Sequence, residues 1–360
     1  TMKRQKETGS RQQAAGSRQQ AVGSYPFNPS TLYLSLLLCF MITVPLAEMP
    51  LLASRVAAAE LPTLEVGLPE DGVFGLGGQY IIDKQLDRKN GFSMKPRWAG
   101  VPEIQRLMGI GAIQLGLAVS EVSLRANLKG TPIRLVQPYQ VPHIFVLVPK
   151  DSPHKDVVDL KGKSIALTSE TTSLYNMFDY MMKKRGLNIE SDFKLKKLGA
   201  PVIIAVLERG EVDGAILWEA HVSRLLVTGK YRTILGFREE MEKLFNGESV
   251  FLNYLGAIDS WAAQNPDMIP KIRATWAAAS RGVQEDEAHF QKYAKRFFGL
   301  EGAEVLSLGW KRTRPTLAPP DLKWPNPTSV EVQKKYLREA TDLGIFPKEA
   351  KDIIEKLFVP

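Results

Sequence analysis

Cysteine is all but missing from this chain. The single one, Cys39, allows no intrachain disulfide and no cysteine-built metal site. Histidine is nearly as scarce, and His143, His154, His221 and His289 are scattered with no ligand spacing such as HxxxH. Neither a metal nor a cofactor is therefore expected. No dense stripe of Lys and Arg is interleaved with aromatics, so a nucleic-acid partner is not expected either. The net charge of +8 sits unevenly: residues 1–59 hold Lys3, Arg4, Lys6, Arg11, Arg18 and Arg55 against Glu7 and Glu48, and six minus two leaves half the excess there. The apolar stretch 32–47, LYLSLLLCFMITVPLA, has 16 residues, short of the ~20 that a membrane-spanning helix needs.

What is present is ordinary globular material. Hydrophobic residues make up 44% and charged residues 24% of 360, enough for one large or two medium domains with a real core. The front end reads as an address. Residues 1–31 are polar and contain a near-repeat, GSRQQAA then GSRQQAV, that cannot bury a core. They read as a tail or, with Thr1 ahead of Met2, as an upstream piece joined by a misplaced start. The 32–47 stretch is stopped by Pro45 and Glu48, has basic residues upstream, and precedes Ala57-Ala58-Ala59 before Glu60. That is the pattern of a secretory signal peptide cut near Ala59/Glu60, and it predicts a periplasmic or otherwise extracytoplasmic protein. The alternative is an N-terminal anchor over 32–47. Cys39 follows Leu36-Leu37-Leu38, not a small residue, so it does not read as a lipid-attachment site.

From Glu60 onward, apolar strands alternate with amphipathic helices. Strands are expected at 64–68, 92–98, 113–119, 133–136 and 144–148, with helices at 78–88, 101–108 and 120–127, the last capped by Ser120. The series restarts with strands at 164–167, 193–198 and 214–217 and helices at 171–185, 202–209 and from Glu219. Strand–helix alternation implies a mostly parallel sheet covered on both faces, and seeing it twice implies two α/β lobes. After Asp259 the pattern turns helical, at 261–264, 268–283, 285–298, 301–309, 329–343 and 348–358, with a Pro-rich loop at 315–327.

Ligands of parallel α/β sheets sit beyond the carboxyl ends of the strands. The residues placed there are Asp71 and Gly72, then Ser120 and Glu121, then the cluster from Thr168 through Ser169, Glu170, Thr171 and Thr172 to Ser173, then Trp218 and Glu219. Five hydroxyls among six residues at a helix start exceed what one cap requires, and they suit a ligand facing unpaired backbone N–H groups. Trp218 offers a stacking face. Glu219 offers an acceptor, or a compensating charge at a helix start. These loops carry no Lys or Arg. The acidic set Asp71, Glu121 and Glu219 therefore points to a ligand with a donor group.

The segment DLKGKSIAL at 159–167, the run HIFVLVPKDS at 143–152 and AVLERGEVDGAILWE at 205–219 resemble conserved-looking segments of solute-binding proteins of ABC importers. The branch is the nitrate/sulfonate/taurine-binding group, which is related to binders of thiamine-pyrimidine precursors. Ala220 stands where that pattern usually has Pro. The resemblance implies a type II periplasmic-binding fold with two crossover strands, at 144–148 and 250–254. Lobe 1 would span 60–149 and 250–360, the latter with the α-rich C-terminal region, and lobe 2 would span 150–249. It implies a monomer that hands a small molecule to an ABC importer permease and makes or breaks no bond. Ligand-binding residues would be Asp71, Gly72, Ser120, Glu121, Ser169, Thr171, Thr172, Ser173, Trp218 and Glu219, with none catalytic. The alternative is an enzyme on the same fold, of the pyrimidine-synthase or menaquinone-pathway kind. The first of these uses a cysteine-rich motif that this chain lacks.

Overall fold

The computed structural model describes residues 60–360; the signal-peptide and anchor readings for 1–59 lie outside them. Ten strands are seen among the described residues: β1 (Thr63–Pro69), β2 (Ser93–Ala99), β3 (Leu115–Val119), β4 (Ile133–Gln140), β5 (Ile144–Pro149), β6 (Ser164–Leu167), β7 (Lys194–Lys197), β8 (Gly214–Trp218), β9 (Tyr231–Gly236) and β10 (Asn253–Ile258). They form two five-stranded sheets, ordered β2-β1-β3-β10-β4 and β7-β6-β8-β5-β9. The two sheets repeat one plan. Three strands are parallel (β1 with β2 and β3, β6 with β7 and β8), and a strand from elsewhere in the chain inserts antiparallel as the fourth. β10 fills that place in the first sheet and β5 in the second.

The burial of each strand follows its place. β3 reads LGLAV and is buried along its whole length, as a strand covered on both faces must be. β7 reads KLKK and is mostly exposed, a lysine-bearing edge that resists further pairing. An edge of the first sheet, β4, pairs with the last residues of the chain: Leu135 donates to Leu357 O and accepts from Val359 N.

Helices cover both sheets, and several boundaries differ from expectation. The first helix runs Gly72–Lys84, not 78–88, because its opening glycines pack tightly against the sheet, and a left-handed Gln85 separates it from the short Leu86–Lys89 turn. Gly72 has φ +75°, a conformation that favours glycine. Ser120 is not the N-cap of the Ser120–Leu128 helix; Val119 is, and Ser120 is already helical. The helix expected from Glu219 starts at His221. Asn326, not Ser329, caps the Pro327–Asp342 helix by accepting from Ser329 N at 3.1 Å. β9 and the Phe237–Leu244 helix after it were not expected. The first lobe boundary also moves. β5 pairs with β8 and β9, so 144–149 belongs to the second sheet and the chain changes lobes at 141–143. Its return precedes β10, through the buried Val250, Phe251 and Leu252.

Candidate functional site

A cavity of about 630 Å³ lies at the carboxyl ends of β1, β3, β6 and β8, where the two lobes face each other. The first lobe contributes Asp71 and Gly72 at the start of the Gly72–Lys84 helix, and Val122, Arg125, Ala126 and Lys129 from one face of the Ser120–Leu128 helix and its end. The second contributes Thr168, Thr171, Thr172, Ser173 and Leu174 around the start of the Ser173–Lys184 helix, with Trp218 at the end of β8. His143, Ile144, Leu252 and Asn253 line it from the two segments that join the lobes. Arg125, Lys129 and Thr171 also line a neighbouring hollow of about 490 Å³.

The hydroxyl cluster folds on itself. Thr172 Oγ1 accepts from Tyr175 N at 3.3 Å, capping the helix, and donates to Ser169 O at 2.8 Å. Thr168 Oγ1 lies 2.7 Å from Thr172 Oγ1, and Ser169 Oγ lies 3.0 Å from Thr171 Oγ1. The free N–H groups of that helix start at Ser173 and Leu174. Opposite them, Arg125 donates to Asn176 Oδ1 at 2.8 Å across the lobes, its guanidinium 4.8 Å from the Phe346 ring centroid. Its Nε is buried and has no partner among the described residues. Burial lowers the pKa of His143 to about 4, so at neutral pH the imidazole is uncharged. Trp218 packs edge-on against His221, ring centroids 5.1 Å apart. Among the described residues no cluster of three or more His, Cys, Asp or Glu is arranged to hold a metal ion.

Residues 82–248 match the family described as ABC transporter, phosphonate, periplasmic substrate-binding protein. Over that segment, less than half of the chain, the sequence is similar to periplasmic substrate-binding proteins of ABC transporters. A taurine-binding periplasmic protein of Escherichia coli (strain K12) is 29% identical over 140 residues, 36% of this chain and 40% of that relative. A second curated relative from the same organism is 23% identical over 220 residues, 61% of this chain and 66% of the relative, so in both cases the match spans less than two thirds of the relative's length. In solved structures the fold recurs. The periplasmic aliphatic sulphonate binding protein of Escherichia coli superposes with TM-score 0.67 at 20% identity, covering 82% of this chain and 97% of that one. The periplasmic nitrate-binding protein of Synechocystis PCC 6803 superposes with TM-score 0.63 at 14% identity, covering 83% and 86%. Among the described residues no helix is long and apolar enough to cross a membrane.

Of the residues expected to bind ligand, Asp71, Gly72, Thr171, Thr172, Ser173 and Trp218 line the cavity. Ser120, Glu121, Ser169 and Glu219 do not. Glu121 is fully buried and accepts from Ser120, Ser173 and Tyr336; burial pushes its pKa up. Ser120 Oγ, also buried, accepts from Gln333 Nε2 at 3.0 Å. Ser169 is exposed and faces Thr171. Glu219 pairs with Arg312 and accepts from Ser223 N at 3.1 Å and Ser223 Oγ at 2.6 Å. The cavity wall is not free of bases, as the strand-end loops suggested, because Arg125 and Lys129 reach it from a helix face. They were legible: Val122, Arg125, Ala126 and Lys129 fall at helical spacing on one side.

Proposed function

We propose that this protein captures a small organic anion between its lobes, outside the cytoplasm, and delivers it to the permease of an ABC importer without altering a bond. One observation carries the reading: Arg125 and Lys129 of one lobe line the same cavity as the helix start and hydroxyl cluster of the other. Cations and free backbone N–H groups are what an anionic head group needs. The volume falls within the range of about 300–1,000 Å³ typical of small-molecule sites. Val101, Val119, Val122, Leu174 and Leu252 add apolar wall, which suits a carbon skeleton better than a bare inorganic ion. The names of the relatives point the same way, toward sulfonates and taurine. A ligand touching both lobes binds the closed form more tightly and so favours it. We further propose that Asp71, Gly72, Thr171, Thr172, Ser173 and Trp218, joined by Thr168, Arg125 and Lys129, form the ligand contacts. In this reading the protein acts as a monomer, released by cleavage near Ala59/Glu60.

Thermal-shift and calorimetric titration of the purified 60–360 chain with taurine, alkanesulfonates and arenesulfonates tests the proposal. At least one anion is expected to raise the midpoint, since binding only the native state stabilises it. Arg125→Gln is expected to weaken that anion by about tenfold or more, the worth of one lost charge-assisted bond. No response to any of these anions overturns the reading.

A further inference from the structure

The hydroxyl protons around the cleft are largely committed inside the protein. Thr172 donates to a carbonyl, Ser169 O, at 2.8 Å. The proton shared between Thr168 and Thr172, 2.7 Å apart, therefore comes from Thr168. Ser173 Oγ donates to Glu121 Oε2 at 3.0 Å. His143 places Nδ1 3.4 Å from Val141 O, a long contact that orients the N–H there and leaves Nε2 as an acceptor. Thr168, Ser173 and His143 all line the cavity, and with its proton committed elsewhere each keeps an acceptor lone pair uncommitted. The Asp71 carboxylate adds a fourth acceptor. The cleft thus combines two cations with a set of acceptors.

Glu121 sits behind this wall. Its carboxylate is buried in the first lobe and gathers Ser120 at 3.0 Å, Ser173 at 3.0 Å and Tyr336 at 2.8 Å. Three hydroxyl donors converge on it, at the first turn of the Ser120–Leu128 helix, where a negative charge is favoured. Only Ser173 among the three faces the cavity. We infer that Glu121 is a positioning residue for specificity: by holding the one proton of Ser173 it presents that oxygen to the cleft as an acceptor, so the protein selects an anion bearing an N–H or O–H donor over the same anion without one. The inference rests on the solute-binding reading above. A donor-free ligand leaves Ser173, Thr168 and His143 facing it unpaired, and a site built to hydrogen-bond a group discriminates strongly against the analogue that lacks it.

The test is calorimetry in a sulfonate-free buffer with two matched pairs: taurine against ethanesulfonate, and 4-aminobenzenesulfonate against benzenesulfonate. In the wild type the amino member of at least one pair is expected to bind about tenfold tighter or better. In Glu121→Gln the new amide N–H donates to Ser173 and frees its proton to turn outward. The ratio is then expected to collapse toward one, while the amine-free partner binds as well as before or better. A carboxylate with a merely structural role would weaken both partners together. Ser173→Ala is expected to lower the ratio in the same direction, and it decides the matter if Glu121→Gln does not fold by circular dichroism. Equal affinities within both pairs in the wild type overturn the inference and leave the solute-binding reading standing, as does a ratio that survives both substitutions. Binding of none of the four compounds overturns the reading and the inference with it.

Discussion

Arg312 donates to a carboxylate with no solvent contact at all: the Glu219 side chain is 0% exposed. Its guanidinium also lies 4.5 Å from the Phe145 ring centroid, so the pair is held in place by packing as well as charge. Arg312→Ala strands Glu219 as a buried, unpaired anion. Breaking such a pair from one side costs about 3–5 kcal/mol, and urea unfolding is expected to report a loss of that size. Replacing both partners, as in Arg312→Met with Glu219→Leu, is expected to recover much of it, because no charge is then left behind. Nothing local in the sequence announced this pairing. Trp218-Glu219 stands at a strand end, where a ligand contact was the natural reading, and its partner lies 93 residues further on. Glu121 was misread for the same reason, since its third donor, Tyr336, comes from the C-terminal helices. Hydroxyls capping their own helix were legible, because Thr172 and Tyr175 are neighbours in the chain. Carboxylates satisfied from afar were not.

At the scale of elements, the parallel part of each sheet was legible strand by strand. β6 begins and ends where its apolar run does, and β1 exceeds its expected span by one residue at each end. Of the inserted antiparallel strands, β5 was legible as a strand, whereas β10 at Asn253–Ile258 overlaps only two residues of the crossover that the resemblance implied at 250–254. β10 meets β4 across more than a hundred residues, and only the folded sheet shows that register. β9, with Arg232 and Thr233 in its middle and only one buried residue, lacks the apolar alternation that marks a strand. The Gly72–Lys84 helix was misplaced because glycine normally argues against a helix interior. Here it is required by contact. A Cβ on Gly77 would lie 1.9 Å from Tyr139 Oη, and Tyr139 is fully buried against the same helix, its ring 5.2 Å from that of Phe74. Gly77→Ala gains up to about 1 kcal/mol of helix propensity but overpacks a rigid aromatic, which costs typically 1–3 kcal/mol or more. The clash wins, so a lower melting temperature is expected; Gly77→Ala combined with Tyr139→Phe, which removes the offending oxygen, is expected to recover part of the loss.

At the scale of the whole molecule, the chain crosses between lobes at 141–143, and His143 is buried at that crossing. Burial favours the uncharged ring, with the folded pKa near 4 against an ordinary 6.5. Unfolding therefore takes up a proton anywhere between those two values. The sign follows: the stability tied to this group is fully present above about pH 6.5, and it is lost as the pH falls toward about 4. Two and a half pKa steps amount to about 3 kcal/mol. Glu121 acts in the opposite sense. Its folded pKa is raised by burial, so acidification through that raised value relieves a cost instead of adding one. Other carboxylates, such as Asp83 and Asp213, have lowered values and lose stability in acid as His143 does. The total pH profile mixes all of these, and only a difference isolates the histidine. Urea unfolding of the ligand-free wild type and of His143→Gln at pH 7.5 and pH 4.5 supplies it. Between those pH values the wild type is expected to lose about 2–3 kcal/mol more than the variant. Equal losses would mean that the lobe crossing admits water to His143 and leaves its pKa near the ordinary value.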